Sequence, residues 1–171
     1  YKFMKNIFLT LTGYQLTWIF CVFGEYYNYP LLGIVVGILY LSSFFYFIEL
    51  KIRALKICLF FSLVGYFFDS ILGYTQLFNI KSNIMVGYMP IWFLVLWPSF
   101  TTLFVNVLVF LKNYLLLSFF IGAVLAPPTY YLGIPLDIAS SKNITLAMST
   151  MVIFWGSFLM LYSFYIKKLN F

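Results

Sequence analysis

The sequence predicts an all-α integral membrane protein: a single bundle of six transmembrane helices over residues 1–171, with the N- and C-termini cytoplasmic. Three observations carry that expectation. Of the 171 residues, 64% are hydrophobic and 8% charged, whereas soluble domains run at about 45–50% apolar and about 25% charged. An aromatic share of 24% would leave large apolar patches facing water in a soluble fold. Finally, six apolar stretches, each able to cross about 30 Å of hydrocarbon as a helix, are separated by charged or Pro/Asn-rich breaks.

The six stretches are Asn6–Gly24, Pro30–Glu49, Ala54–Tyr74, Pro90–Leu111, Tyr114–Gly133 and Ile144–Ile166. None alternates with period two, so no sheet is expected. The first has five residues before it and no small-residue cleavage site, which reads as a membrane helix rather than a removable signal peptide. Tyr1-Lys2-Phe3 stands before the first methionine. The second span carries Gly33-x-x-x-Gly37, a small-residue packing surface with no functional role. The third places Ser62, Gly65, Asp69, Gly73 and Gln76 at helical spacings on one face, a narrow polar stripe pointing inward. In the fourth, Trp92, Ser99, Thr102 and Asn106 share a face and Pro98 sets a kink. The fifth contains Ala126-Pro127-Pro128-Thr129-Tyr130-Tyr131. Two consecutive prolines remove two helical hydrogen bonds and push Ala126 away from helical angles, so this helix should kink or break. Between spans three and four, Thr75–Met89 mixes apolar and polar residues, as an interfacial loop or short surface helix does, and such a segment can act as a lid.

Charge sets the orientation. With the N-terminus inside, Lys2, Lys5, Lys51, Arg53, Lys56, Lys112, Lys167 and Lys168 are cytoplasmic, and only Lys81 and Lys142 lie outside. Topology and anionic headgroups account for the net charge of +6, which needs no nucleic-acid partner. Cys21 and Cys58 fall in different spans and read as small apolar fillers. With no histidine, two separated cysteines and four carboxylates, no metal site and no cofactor are expected. Phosphate loops, GxSxG elbows and HExxH motifs are missing as well. An enzyme is therefore not expected. The one surviving alternative is a carboxylate-dependent hydrolase that uses two of Glu25, Asp69 and Asp137 to share a proton.

Polar groups at membrane depth are the remaining signal. Asp69 is the carboxylate deep within a span. Gln15, Asp69, Thr102 and Asn106 are expected to face a common interior, with Trp92, Trp97 and Tyr130 as apolar walls and Pro127-Pro128 as the break that widens the cavity. Asp69 would orient a ligand or couple its binding to a proton.

Gln15-x-x-Trp18-x-x-Cys21, the glycine-flanked Asp69, Pro90-x-Trp92, Leu96-Trp97, Phe100, Thr102, Asn106, Gly122 and Pro128-x-Tyr130-x-x-Gly133 together resemble DUF2878, a family of small bacterial inner-membrane proteins without an assigned function. Ala-Pro-Pro stands here where the family pattern has a Gly-Pro step. The resemblance implies a multi-pass protein of the bacterial inner membrane. Members tend to be encoded beside genes for modifying membrane fatty acids, which turns the expected ligand toward lipids. The functional expectation is thus a protein that binds or moves a small apolar or amphipathic molecule, a lipid or lipid precursor, between spans 1, 3, 4 and 5. The alternative from another class is an accessory subunit docking on a membrane partner, similar in topology to the substrate-binding subunits of energy-coupling-factor transporters.

Overall fold

The computed structural model describes residues 2–169, with side chains from Asn6 onward. Tyr1 and the side chains of Lys2, Phe3 and Lys5, including two cations of the charge count, lie outside the described residues. The helices are α1 (Lys2–Tyr26), α2 (Leu31–Phe47), α3 (Lys51–Tyr74), α4 (Phe93–Asn106), α5 (Leu115–Leu125), α6 (Pro127–Tyr131) and α7 (Ile144–Lys168), with a 3-10 segment at Leu108–Asn113. Asn6–Tyr26, Lys51–Tyr74 and Ile144–Lys168, of 21, 24 and 25 residues, are long and apolar enough to cross a membrane. At about 1.5 Å rise per residue each exceeds 30 Å. Leu31–Phe47, Phe93–Asn106 and Leu115–Tyr131 are apolar but shorter.

The absence of sheet expected from the pattern is corrected in detail. Four two-residue strands occur: β1 (Asn79–Ile80), β2 (Met85–Val86), β3 (Met89–Pro90) and β4 (Ala139–Ser140). β1 pairs antiparallel with β4, and β2 with β3 around Gly87 at φ +61°. Thr75–Met89 is therefore neither a plain loop nor a surface helix. Its polar residues break helical periodicity, and short ladders satisfy the backbone instead.

The chain folds as two compact units: a first that runs to Ile71 and resumes over Ser82–Leu108, and a second of Leu72–Lys81 and the chain from Val109 onward. In the first, α4 packs against α1 and α2. Gly33 lies against Cys21 and Gly37 against Val95 and Thr17, with no room for a methyl at either, so the small-residue surface is indeed a packing surface. Both cysteines are free and buried. In the second unit, α5 packs along α7, where Gly122 faces the Trp155 backbone and Gly156 faces the Phe119 ring.

The fifth stretch breaks where the prolines predict it, between α5 and α6. The reason differs from the expected one. Ala126 keeps helical angles, φ −81° and ψ −46°. Continuity is lost because Pro127 and Pro128 offer no N–H, and the next bond, Thr129 N–H to the Ala126 carbonyl at 3.0 Å, spans three residues rather than four.

Three chain reversals share one device. After α1, Tyr29 N–H reaches the Gly24 carbonyl and Asn28 N–H reaches that of Glu25; Leu77 and Gln76 do the same to Leu72 and Gly73, and Ile138 and Asp137 to Gly133 and Ile134. This is the Schellman arrangement, whose left-handed position favours glycine. Here it holds Asn28 (φ 64°), Gln76 (φ 56°) and Asp137 (φ 56°). Gln76 consequently leaves the α3 stripe on which its spacing would put it.

Candidate functional site

The polar groups of the first unit converge on α4. Nine of the 14 residues of this helix are buried, and α1 and α2 both pack against it. Because successive residues turn about 100°, the adjacent Thr101 and Thr102 serve different helices. The Thr102 hydroxyl donates to the Ser99 carbonyl at 2.6 Å and meets the Tyr40 hydroxyl of α2 at 2.5 Å. The Thr101 hydroxyl lies 3.0 Å from that of Ser62 on α3. At the far end of α4, Asn106 Nδ2 donates to Thr10 Oγ1 of α1 at 2.9 Å.

Two tryptophans hold two carboxylates. Asp69 is 1% exposed, and its Oδ2 accepts Trp97 Nε1 at 2.8 Å. Gly65, one turn before Asp69 on α3, makes this contact possible, since the Trp97 ring occupies the space a Cβ would fill there. Glu25, in the last turn of α1, is 7% exposed, and its Oε2 accepts Trp92 Nε1 at 2.8 Å. Trp92 and Trp97 were expected as apolar walls. They are also the hydrogen-bond donors of the site, because a buried indole N–H finds its acceptor in the carboxylate beside it.

Asp69, Trp92, Trp97, Thr102 and Asn106 thus belong to the first unit and to the surroundings of α4. Gln15 does not face the interior: it is exposed. The buried residues of α1 from Asn6 onward are Thr10, Thr17, Cys21, Val22, Gly24 and Glu25, and Gln15 stands two positions from Thr17, about 200° around the helix. Pro127, Pro128 and Tyr130 belong to the second unit. There Pro127 is buried, Pro128 exposed, and the Tyr130 ring packs at 5.9 Å from Phe78 and 6.3 Å from Trp155.

Tyr40, Thr10 and Thr101 were missed by sequence reasoning. The adjacency of two threonines on a buried helix was the available signal for Thr101. Tyr40, inside an aliphatic run, offered none. Ser99 adds a distinct feature, a fully buried hydroxyl with no hydrogen-bond partner among the described residues.

Asp137 has different surroundings. Its side chain is 90% exposed and pairs with Lys81 Nζ. Across the same β1–β4 pair, Lys142 Nζ donates to Gln76 Oε1. Lys81 and Lys142, the cations expected outside, thereby hold the side chains of two left-handed turn residues. A carboxylate in a surface ion pair lacks the like-charged neighbour that would make it share a proton. No group of three or more metal-ligating side chains occurs among the described residues.

Residues 7–161 match the family described as "Protein of unknown function (DUF2878)". The chain belongs to that family. The DUF2878 match spans both tryptophan–carboxylate pairs, α4 and the α5–α6 break. No curated protein and no solved structure matches the chain.

Proposed function

We propose that this DUF2878 member is a multi-pass protein of the bacterial inner membrane, with six spans and cytoplasmic termini. In this reading it binds or moves a small apolar or amphipathic molecule, a lipid or lipid precursor, within the first unit. The supporting observation is the Asp69–Trp97 pair. A carboxylate at membrane depth costs on the order of 2.5–3.5 kcal/mol to insert, and here a glycine makes room for the indole that fixes it. The Ser99 hydroxyl on the same α4, buried without a partner among the described residues, is unused polar capacity. It suits the hydroxyl or carbonyl of an amphipathic ligand, with Asp69 orienting the polar end and the aromatic side chains of α4 meeting the apolar remainder.

The charge distribution supports the orientation. Lys51, Arg53 and Lys56 open α3, at the end away from Asp69. The reading is tested by purifying the protein and its Asp69→Asn variant in mild detergent, then identifying and titrating retained lipid by mass spectrometry across pH. Loss of a stoichiometric lipid or of its pH dependence in the variant is the expected result. Unchanged retention and pH dependence reject the assignment.

A further inference from the structure

Glu25 lies at a second position where charge is buried, and the Asp69 reading does not use it. The residue sits in the last turn of α1, three residues before the left-handed Asn28, whose N–H its carbonyl accepts. The negative end of the helix dipole lies there, so a carboxylate is disfavoured. Burial also withdraws water from the carboxylate oxygens. Against both stands one neutral donor, Trp92 Nε1 at 2.8 Å. No other hydrogen bond or ion pair reaches the carboxylate among the described residues.

The cations of the first unit whose side chains are described, Lys51, Arg53 and Lys56, do not supply the missing charge. α3 runs antiparallel to α4, with Ser62 meeting Thr101 and Asp69 meeting Trp97. Lys51, Arg53 and Lys56 therefore stand at the opposite end of α3 from the level of Trp92. The end that holds Glu25 is instead lined with tyrosine. Tyr26, Tyr27 and Tyr29 are exposed in the α1–α2 turn, and Tyr88 is exposed in the β2–β3 turn that leads into Trp92. Exposed tyrosines at one end of a membrane helix bundle mark headgroup depth. A carboxylate with one neutral donor at that depth has acceptor capacity left for an organic ammonium ion, whose charge it neutralises.

From this we propose that Glu25 and Trp92 form a binding site for the ammonium group of a zwitterionic lipid headgroup, separate from the Asp69 site. The test is native mass spectrometry of the full chain titrated with phosphatidylethanolamine and with phosphatidylglycerol of the same acyl chains. The wild type should bind the ammonium lipid about tenfold more tightly, a difference of about 1.4 kcal/mol. Glu25→Gln should reduce that ratio to about one. Asp137→Asn, which removes the same charge from a surface ion pair, should leave the ratio unchanged. Equal binding of both lipids by the wild type, a preference that survives Glu25→Gln, or an equal loss in Asp137→Asn overturns the site. Butylammonium chloride binding as tightly as the lipid overturns the headgroup as its source. Should Glu25→Gln not fold, difference infrared spectra of the wild type decide: a carboxylate band that shifts between the two lipids supports the site, and a lipid-insensitive carboxylate band overturns it.

Discussion

Asp69 and Glu25 in the first unit and Asp137 and Gln76 in the second are held in opposite ways. In the first, Asp69 and Glu25 are buried and held by the neutral indoles of Trp97 and Trp92, while hydroxyls link Tyr40 to Thr102 and Ser62 to Thr101. In the second, Asp137 and Gln76 are exposed and held by Lys81 and Lys142 across a pair of two-residue strands. Where water is excluded, a donor must be built into the packing, and the neighbouring helix must carry a glycine or a turn to admit it. At an exposed turn a flexible lysine suffices, because water solvates the groups it does not reach. The first arrangement concentrates energy in a few contacts, whereas the second spreads little energy over several.

Substitutions can break this contrast, beginning with the largest effect. Gly65→Val would force the Trp97 ring off α3. Overpacking and loss of the indole donor together should cost about 3 kcal/mol or more, read as a lowered Tm in detergent. Trp97→Phe keeps most of the ring volume and removes only the donor. The expected cost is about 2 kcal/mol, as for hydrogen bonds to charged groups, and a comparable Tm loss for Lys81→Ala would contradict the contrast. Tyr40→Phe should cost about 1 kcal/mol by leaving Thr102 without the phenol. Lys81→Ala should cost under about 1 kcal/mol, and its difference from wild type should disappear in high salt, because an exposed ion pair is screened. The smallest change is expected from Asn28→Gly, within a few tenths of a kcal/mol, since asparagine already tolerates the left-handed cap. Chemical unfolding at two salt concentrations orders the last two.

Much of the fold was legible because lipid makes composition decisive. A long apolar run between charges has few states other than a helix, so each of the six stretches contains one, and the doublet Pro127-Pro128 interrupts the fifth. Helical spacing also located the buried face of α3, since Ser62, Gly65, Asp69 and Gly73 are all buried. The same reasoning failed for Gln15, because a face inferred from one polar residue and one tryptophan has no fixed centre. The packing residues Thr10, Thr17 and Cys21 define it instead. It failed for Gln76 because a helix end is set by cap hydrogen bonds, which periodicity does not report. The short strands were invisible for a related reason: a two-residue ladder has no period.

By itself, the sequence determined that this chain forms long apolar helices, where they break, and that Asp69 is buried, since burial of a carboxylate within an apolar helix follows from the residues flanking it. Only the tertiary structure decided which donor answers each acceptor. Trp97 reaches Asp69 because Gly65 vacates the space between, Trp92 reaches Glu25 because the end of α1 lies beside the start of α4, and Lys81 reaches Asp137 because β1 pairs with β4. Such pairings depend on the approach of segments distant in the chain, from 28 residues apart for Asp69 and Trp97 to 67 for Glu25 and Trp92. No local pattern of charge or hydrophobicity encodes that distance.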